Sequence, residues 1–224
     1  MRKCYIITAY IEGELLKLMS PSLVNESSPF IICADGGYEI AMSSGIVPAL
    51  VIGDADSGAM TYDSQVSLRA NITSNFEATE FIHIKKEKDE SDTFLAVQHA
   101  VAAGFEAIDI LGGIGGRFDH TISNIQTLAY FSSKTRRIAI LDETNFITIV
   151  ENSSITLQQK ENWSISLFSF SDVCQGVTTA GLYYPLQNAT LRNLYPLGLS
   201  NEFTGDEATI EVKQGKLIVI MSEK

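Results

Sequence analysis

Cysteine, histidine, proline and tryptophan are all scarce in this chain, with three, three, five and one among 224 residues. Cys4, Cys33 and Cys174 are odd in number and widely separated, which excludes a disulfide framework or a cysteine zinc site. They read as buried thiols in a reducing compartment, so a cytoplasmic protein is expected. His83, His99 and His120 show no metal-ligand spacing. Basic residues are also few, 16 against 27 acidic ones, for a formal net charge of −11. A large nucleic-acid footprint needs a basic face, so no nucleic-acid partner is expected. A small phosphate ligand stays admissible, because a divalent cation can bridge carboxylates to phosphates. No run approaches the roughly 20 apolar residues that span a bilayer. The opening Met1-Arg2-Lys3-Cys4-Tyr5-Ile6-Ile7 is followed by Glu12 and Glu14, with no small-residue cleavage site. It reads as a buried first strand and not as a signal peptide.

What is present is ordinary for a globular protein, 45% apolar and 19% charged. Apolar runs at 5–8, 30–33, 50–52, 81–84, 107–111 and 138–141 read as strands. Helical periodicity lies between them. One helix starts at Ser91 or Asp92, buries Phe94, Val97 and Val101, and ends at Gly104. Another starts near Asp119 and buries Ile122, Ile125, Leu128 and Ala129. Strand–helix alternation with nearly continuous apolar strands predicts an α/β domain over 1–144, a mainly parallel sheet with helices on both faces. From about Asp142 the pattern changes to period two, in Ile155–Leu157, Trp163–Leu167 and Ile210–Val212. Trp163 reads as buried. Gln214-Gly215 before Leu217–Ile220 suggests a hairpin. A smaller all-β sandwich over 145–224 is expected.

In an open parallel sheet, ligands bind beyond the carboxyl ends of the strands. Four successive strands here end in acids or glycines: Asp35-Gly36-Gly37, Gly53-Asp54-Ala55-Asp56-Ser57, Lys88-Asp89-Glu90-Ser91-Asp92, and Gly112 to His120. The fold would bring these loops to one rim. Asp54 and Asp56 alone could be a solvated turn. Directly after an apolar strand they read as a cation pair, since Mg²⁺ takes hard oxygen ligands. The segment 112–117 holds four glycines and opens a helix. Glycines let backbone N–H groups approach an anion, and Arg117 could grip phosphate in a planar fork. Lys88 is either a phosphate contact or part of a solvated run with Lys85 and Lys86. His120 reads as a structural hydrogen-bonding residue at the helix start. Ser200-Asn201-Glu202 reads by composition as a loop.

Taken together, these motifs resemble the thiamine pyrophosphokinase family. The α/β motifs just quoted, through Asn124, look like that family's successive catalytic motifs. Val177-Thr178-Thr179-Ala180-Gly181-Leu182-Tyr183-Tyr184-Pro185-Leu186 resembles its G-V-T-T-x-G-L-x-Y-P-L run, and Ser200-Asn201-Glu202 its S-N-E turn. Ala55 and Ala49 depart from residues common in the family. The resemblance implies transfer of the β,γ-diphosphoryl group of ATP to the thiamine hydroxyl, releasing AMP. It implies Mg²⁺ held by Asp54, Asp56 and Asp92, with Arg117 also catalytic. Asp35, Gly36, Gly115, Gly116, Asp119 and Asn124 would line the ATP site, and Ser200 and Asn201 would bind thiamine. A homodimer with active sites at the subunit interface is implied as well. Asp92 is a candidate acceptor for the hydroxyl proton, though a carboxylate that holds metal is a poor base. Two rival classes fit parts of the pattern: another Mg-dependent nucleotide transferase or hydrolase, and a non-catalytic thiamine-binding module.

Overall fold

The structure is a computed structural model that describes residues 2–23, 29–54, 79–85 and 87–224. Two compact units are present, one of residues 1–127 with 140–143 and the other of 128–139 with 144–224.

In the first unit, β1 (Lys3–Ile7), β2 (Phe30–Ala34), β3 (Leu50–Gly53), β4 (Glu80–His83) and β5 (Ala107–Leu111) form parallel pairs in the order β5-β1-β2-β3-β4. The expected apolar runs are all strands, and every residue of β3 and β5 is buried. The helices are α1 (Leu15–Leu23), α2 (Gly37–Ser43), α3 (Asp92–Ala102) and α4 (Phe118–Phe131), the last of which runs into the second unit from Leu128. From β1 the chain steps through α1 to β2 and through α2 to β3. From β4 it returns through α3 to β5, on the far side of β1. Right-handed crossovers in opposite directions put their helices on opposite faces. Tyr5, Ile7, Ile31, Cys33 and Val51 accordingly pack with Leu15 and Met19 of α1 and Ala41 of α2. The alternate residues Ile6, Ile32, Ile52, Ile108 and Ile110 are just as buried. Asp109, buried in β5, is answered by Lys3 Nζ at 2.9 Å.

Helix α3 begins as the sequence predicts: Ser91 Oγ accepts from the Phe94 N–H at 3.2 Å. Its buried face is Ala96, Val97 and Ala100, while Phe94 and Val101 are only half-buried. Small residues are inside because the helix lies against β1, β2 and β3. The expected face of α4 needs a larger correction. Ile122 is 43% exposed and Ile125 half-buried, whereas Thr121, Asn124 and Thr127 are buried beside Leu128 and Ala129. Buried polar groups require partners. These have them: Asn124 Nδ2 donates to the Gly113 carbonyl, Thr127 Oγ1 to the Ser123 carbonyl, and Thr121 Oγ1 accepts from the Gly115 N–H. Two of the three bonds hold the glycine loop, so helix and loop are one construction.

The strand β6 (Arg137–Leu141) spans the division between the units. The second unit continues with β7 (Asn145–Glu151), β8 (Ser154–Gln158), β9 (Trp163–Ser169), β10 (Val173–Ala180), β11 (Ala189–Arg192), β12 (Gly198–Asn201), β13 (Glu207–Glu211) and β14 (Lys216–Glu223). One antiparallel layer runs β12-β9-β14-β7 and the other β11-β10-β13-β8. Ile165, Leu167, Leu217 and Val219 of the first meet Leu157, Val177, Leu191 and Ile210 of the second in one core. The sandwich is as expected, but the Gln214-Gly215 hairpin is not. β13 pairs with β8 and β10, and β14 with β7 and β9. Gly215 (φ +109°) turns the chain from one layer to the other, and its N–H donates to Asn152 Oδ1 at 2.8 Å. Alternation in both flanking strands specifies a buried face but not which strand lies alongside. Trp163 is half-buried, with Lys160 Nζ over its ring at 3.8 Å. All three cysteines are buried and free, and burial holds the Cys4 and Cys33 thiols well above their usual pKa. Among the described residues, no helix is long and apolar enough to cross a membrane.

Candidate functional site

The order of strand addition in the first unit reverses between β1 and β5, and in a parallel sheet a crevice opens where consecutive crossovers leave to opposite sides. A cavity of about 740 Å³ lies at this point. Its walls are Thr8–Tyr10 after β1, Ala34 and Asp35 after β2, Ser91–Thr93 at the start of α3, and 113 to 124 after β5. Three of the four motif loops therefore meet around one space, along with Asp35, Asp92, Gly115, Gly116, Arg117, Asp119 and Asn124. Gly36 lies beyond the lining, where it caps α2. Asp54 follows β3 at the same sheet end. Its neighbour Gly53 is so close to the Asp35 loop that an added Cβ would lie 3.0 Å from Asp35 Cα. Asp56 lies outside the described residues.

Backbone geometry shapes the cavity. Gly112, Gly113, Gly115 and Gly116 all have positive φ, between +57° and +87°. A Cβ on Gly112 would lie 2.1 Å from the Tyr10 carbonyl oxygen, so no larger residue fits. The Gly113 N–H donates to that same carbonyl at 2.8 Å. Thr8 Oγ1 reaches both the Tyr10 and Leu111 carbonyls at 3.0 Å, joining the ends of β1 and β5. Asp35 has φ +46°, which an aspartate tolerates better than most side chains, and its N–H donates to the Ile52 carbonyl at 2.8 Å. The turn places Asp35 in the cavity wall.

The charged groups differ in how they are held. Arg117 forks onto Asp119, Nε to Oδ1 at 3.2 Å and Nη2 to Oδ2 at 2.6 Å, and both side chains are well exposed. Hydrogen bonding to Arg117 holds the Asp119 carboxyl below its usual pKa. The fork shows Arg117 already presenting the planar geometry that suits a phosphate. Lys88 is mostly buried and binds Asp92 Oδ1 at 2.5 Å, so it is not part of a solvated run. His120 is also unlike its expectation: its exposed side chain lines the cavity, and its backbone N–H donates to Asp119 Oδ1. Among the described residues, no three acids, histidines or cysteines are gathered as a metal set.

Sequence reasoning missed Thr8, Tyr10, Thr93 and Ser123. The first two follow β1, and the signal was topological: the loop after the central strand borders the switch point whatever its composition.

Ser200 and Asn201 belong to β12 in the second unit. Ser200 takes φ +56°, and its N–H donates to Ser166 Oγ at 3.0 Å. Asn201 Oδ1 accepts from the Tyr184 and Glu202 N–H groups, at 3.0 and 2.9 Å, while Nδ2 donates to the Tyr184 carbonyl at 2.8 Å. The amide thus braces the Tyr183–Tyr184 loop. Both tyrosines remain about two-thirds exposed, their rings edge to face at 4.8 Å. The Val177–Leu186 motif gains a physical reading too. Thr178 and Thr179 hydroxyls accept from Asn188 and Leu186, and Gly181 leaves no space for a Cβ beside the Glu207 carbonyl.

Comparison with known proteins gives consistent matches. A family model described as the thiamin pyrophosphokinase catalytic domain matches residues 22–140, and one described as the vitamin B1 binding domain of that enzyme matches 152–217. A thiamine pyrophosphokinase of Bacillus subtilis is 31% identical over 193 residues, 85% of this chain and 86% of that protein. The Bacillus subtilis thiamine pyrophosphokinase crystal structure superposes with a TM-score of 0.83 at 26% identity, covering 99% of both chains. That from Geobacillus thermodenitrificans gives 0.79 at 25% identity, covering 99% of this chain and 98% of its own.

Proposed function

The chain belongs to the thiamin pyrophosphokinase family, and from that premise we propose how its residues divide the reaction. The reaction is diphosphoryl transfer from ATP to thiamine. The thiamine hydroxyl oxygen bonds to the β-phosphorus, the bond from that phosphorus to the α,β-bridging oxygen breaks, AMP departs, and the hydroxyl proton is released. Such a transfer needs alignment and charge neutralisation more than covalent help.

ATP occupies the cavity at the switch point. The carrying observation is that one 740 Å³ space is walled by a positive-φ glycine loop, an exposed arginine fork and two acids. Gly115 and Gly116 let the chain approach phosphate oxygens, Asn124 fixes that loop, and Arg117 exchanges Asp119 for phosphate as ATP enters. Asp54, Asp56 and Asp92 would hold Mg²⁺. Asp54 and Asp92 offer the carboxylate oxygens that Mg²⁺ takes. When bound, the metal supplies neutralisation of phosphate charge. Lys88 holds Asp92 in place at the cavity wall.

Thiamine is assigned to the second unit, at the loop that Asn201 braces. Its thiazolium is a cation, and an exposed tyrosine ring face attracts one. This makes Asn201 a positioning residue and shifts direct contact toward Ser200 and the tyrosines. The protein is proposed to act as a homodimer in the cytoplasm. Exposed Leu194, Tyr195, Leu197 and Leu199, in one short stretch of the second unit, support an apolar association surface, and three free buried thiols suit a reducing compartment. The test is incubation with ATP, Mg²⁺ and thiamine. Equal amounts of AMP and thiamine diphosphate are expected. ADP with thiamine monophosphate would overturn transfer of two phosphates at once.

A further inference from the structure

We propose that Tyr10 is a positioning residue for ATP, the floor on which the glycine cradle rests. No motif of the sequence includes it. Its carbonyl oxygen accepts from the Gly113 N–H and from Thr8 Oγ1, at 2.8 and 3.0 Å. Its ring sits against the next turn of the same loop. A Cβ on Gly115 would come within 2.9 Å of Tyr10 Cε1, and one on Gly116 within 3.3 Å of the ring. The two residues in most direct reach of an anion therefore sit in van der Waals contact with one aromatic side chain. That chain is itself 45% exposed and lines the cavity.

The physical need is clear. Four glycines in six residues have the largest conformational freedom a chain can have, and an anion site made of them must be ordered before it is useful. Gly112 and Gly113 are ordered by hydrogen bonds to carbonyls. Gly115 has the Thr121 hydroxyl on its N–H, and Gly116 has the ring. One ring supports two successive left-handed glycines, meeting Gly115 on its Cε1 side and Gly116 on its Cδ2–Cε2 side. Tyr10 thus acts through the cradle on the triphosphate.

This inference rests on the placement of ATP phosphates in the glycine loop, and the experiment separates the two. Steady-state kinetics are measured with each substrate varied in turn, for Tyr10→Ala, Tyr10→Leu, Tyr10→Phe and Gly116→Ala. Tyr10→Ala should lower kcat/KM for MgATP by roughly 10- to 100-fold, the scale of a misplaced binding group. The KM for thiamine should stay within about twofold. Tyr10→Phe should restore wild-type values, because the ring and not the hydroxyl carries the role. Tyr10→Leu should show the same ATP-side loss and serves if the alanine variant fails to fold. Unchanged ATP kinetics in the alanine or leucine variant would overturn the inference, as would equal losses for both substrates. If Gly116→Ala damages ATP use while the Tyr10 variants do not, the cradle stands and Tyr10 alone fails. If Gly116→Ala leaves ATP kinetics untouched, the phosphate placement itself is wrong.

Discussion

The two units build their functional rims by opposite means. In the α/β unit the backbone does the shaping: positive-φ glycines from 112 to 116 curve the loop, and the side chains of Arg117 and Asp119 are left exposed. In the β unit a side chain does the shaping: the Asn201 amide makes three hydrogen bonds to backbone and leaves two tyrosine rings exposed. The same distinction separates ligand from brace. A motif residue bonded chiefly to another exposed side chain, as Arg117 is to Asp119, can exchange that partner for substrate, and one whose polar atoms are spent on the backbone acts through what it holds.

The largest test of this division is on the acids. Asp54→Asn and Asp92→Asn should each lower kcat by about 10²- to 10³-fold, the scale of losing an electrostatic contact made to developing charge. Their melting temperatures should stay close to wild type. A loss of fold in Asp92→Asn, with turnover preserved in the folded fraction, would make its Lys88 pair structural and remove it from the chemistry.

Next in size is a pair of glycines. Gly112→Ala places a methyl group against the Tyr10 carbonyl, at φ +79°. It should cost about 3 kcal/mol or more, since strain and overpacking add. Gly45→Ala has a similar φ of +72° but open space around it, so it should cost only about 1 kcal/mol. Denaturant titration of both variants measures the difference. Equal costs would mean that the loop is held by conformation alone and not by its fit against β1.

How much of this was legible in the sequence follows from what sequence patterns encode. The strands of the α/β unit are continuous apolar runs, which burial on both faces requires, so they could be read directly. Motif loops at strand ends could be placed on one rim because parallel topology sends all carboxyl ends one way. The face of α4 could not, because periodicity marks apolar residues and its inner face is Thr121, Asn124 and Thr127. Thr121 and Asn124 are buried to hold a loop and not to fill a core. The Gln214-Gly215 turn was misread because a hairpin and a crossing between layers have the same local composition. Tyr10 was invisible since its role depends on which strand lies at the switch point. The roles of Ser200 and Asn201 came from resemblance alone.

Arg117→Lys should have a smaller effect than loss of an acid. The charge remains, but the planar fork seen on Asp119 is gone. A fall of roughly tenfold in kcat/KM for MgATP is expected, about 1.4 kcal/mol, with thiamine KM unchanged. Full activity would make Arg117 a surface charge and leave the glycine backbone as the sole phosphate contact of that loop.

The smallest effect expected is at Asn201, and it bears most directly on the contrast between ligand and brace. Asn201→Ala removes one acceptor shared by two N–H groups and one donor to the Tyr184 carbonyl. Those backbone groups are at an exposed turn, so water replaces the lost partners and the net cost is about 1 kcal/mol, not the sum of three bonds. The loss goes into order: the Tyr183–Tyr184 loop gains freedom that thiamine must remove on binding. A rise in thiamine KM of roughly fivefold follows from that cost. ATP kinetics should not change. Asn201→Asp discriminates the two roles. A carboxylate still accepts from the Tyr184 and Glu202 N–H groups but cannot donate to the Tyr184 carbonyl, so a brace is half-restored and thiamine KM falls between alanine and wild type. If Asn201 instead contacts the aminopyrimidine, aspartate changes its donor pattern and should be as poor as alanine or worse. Calorimetric titration of thiamine into the three proteins reads the order directly, and an aspartate variant at or below alanine would return Asn201 to the role of a direct ligand.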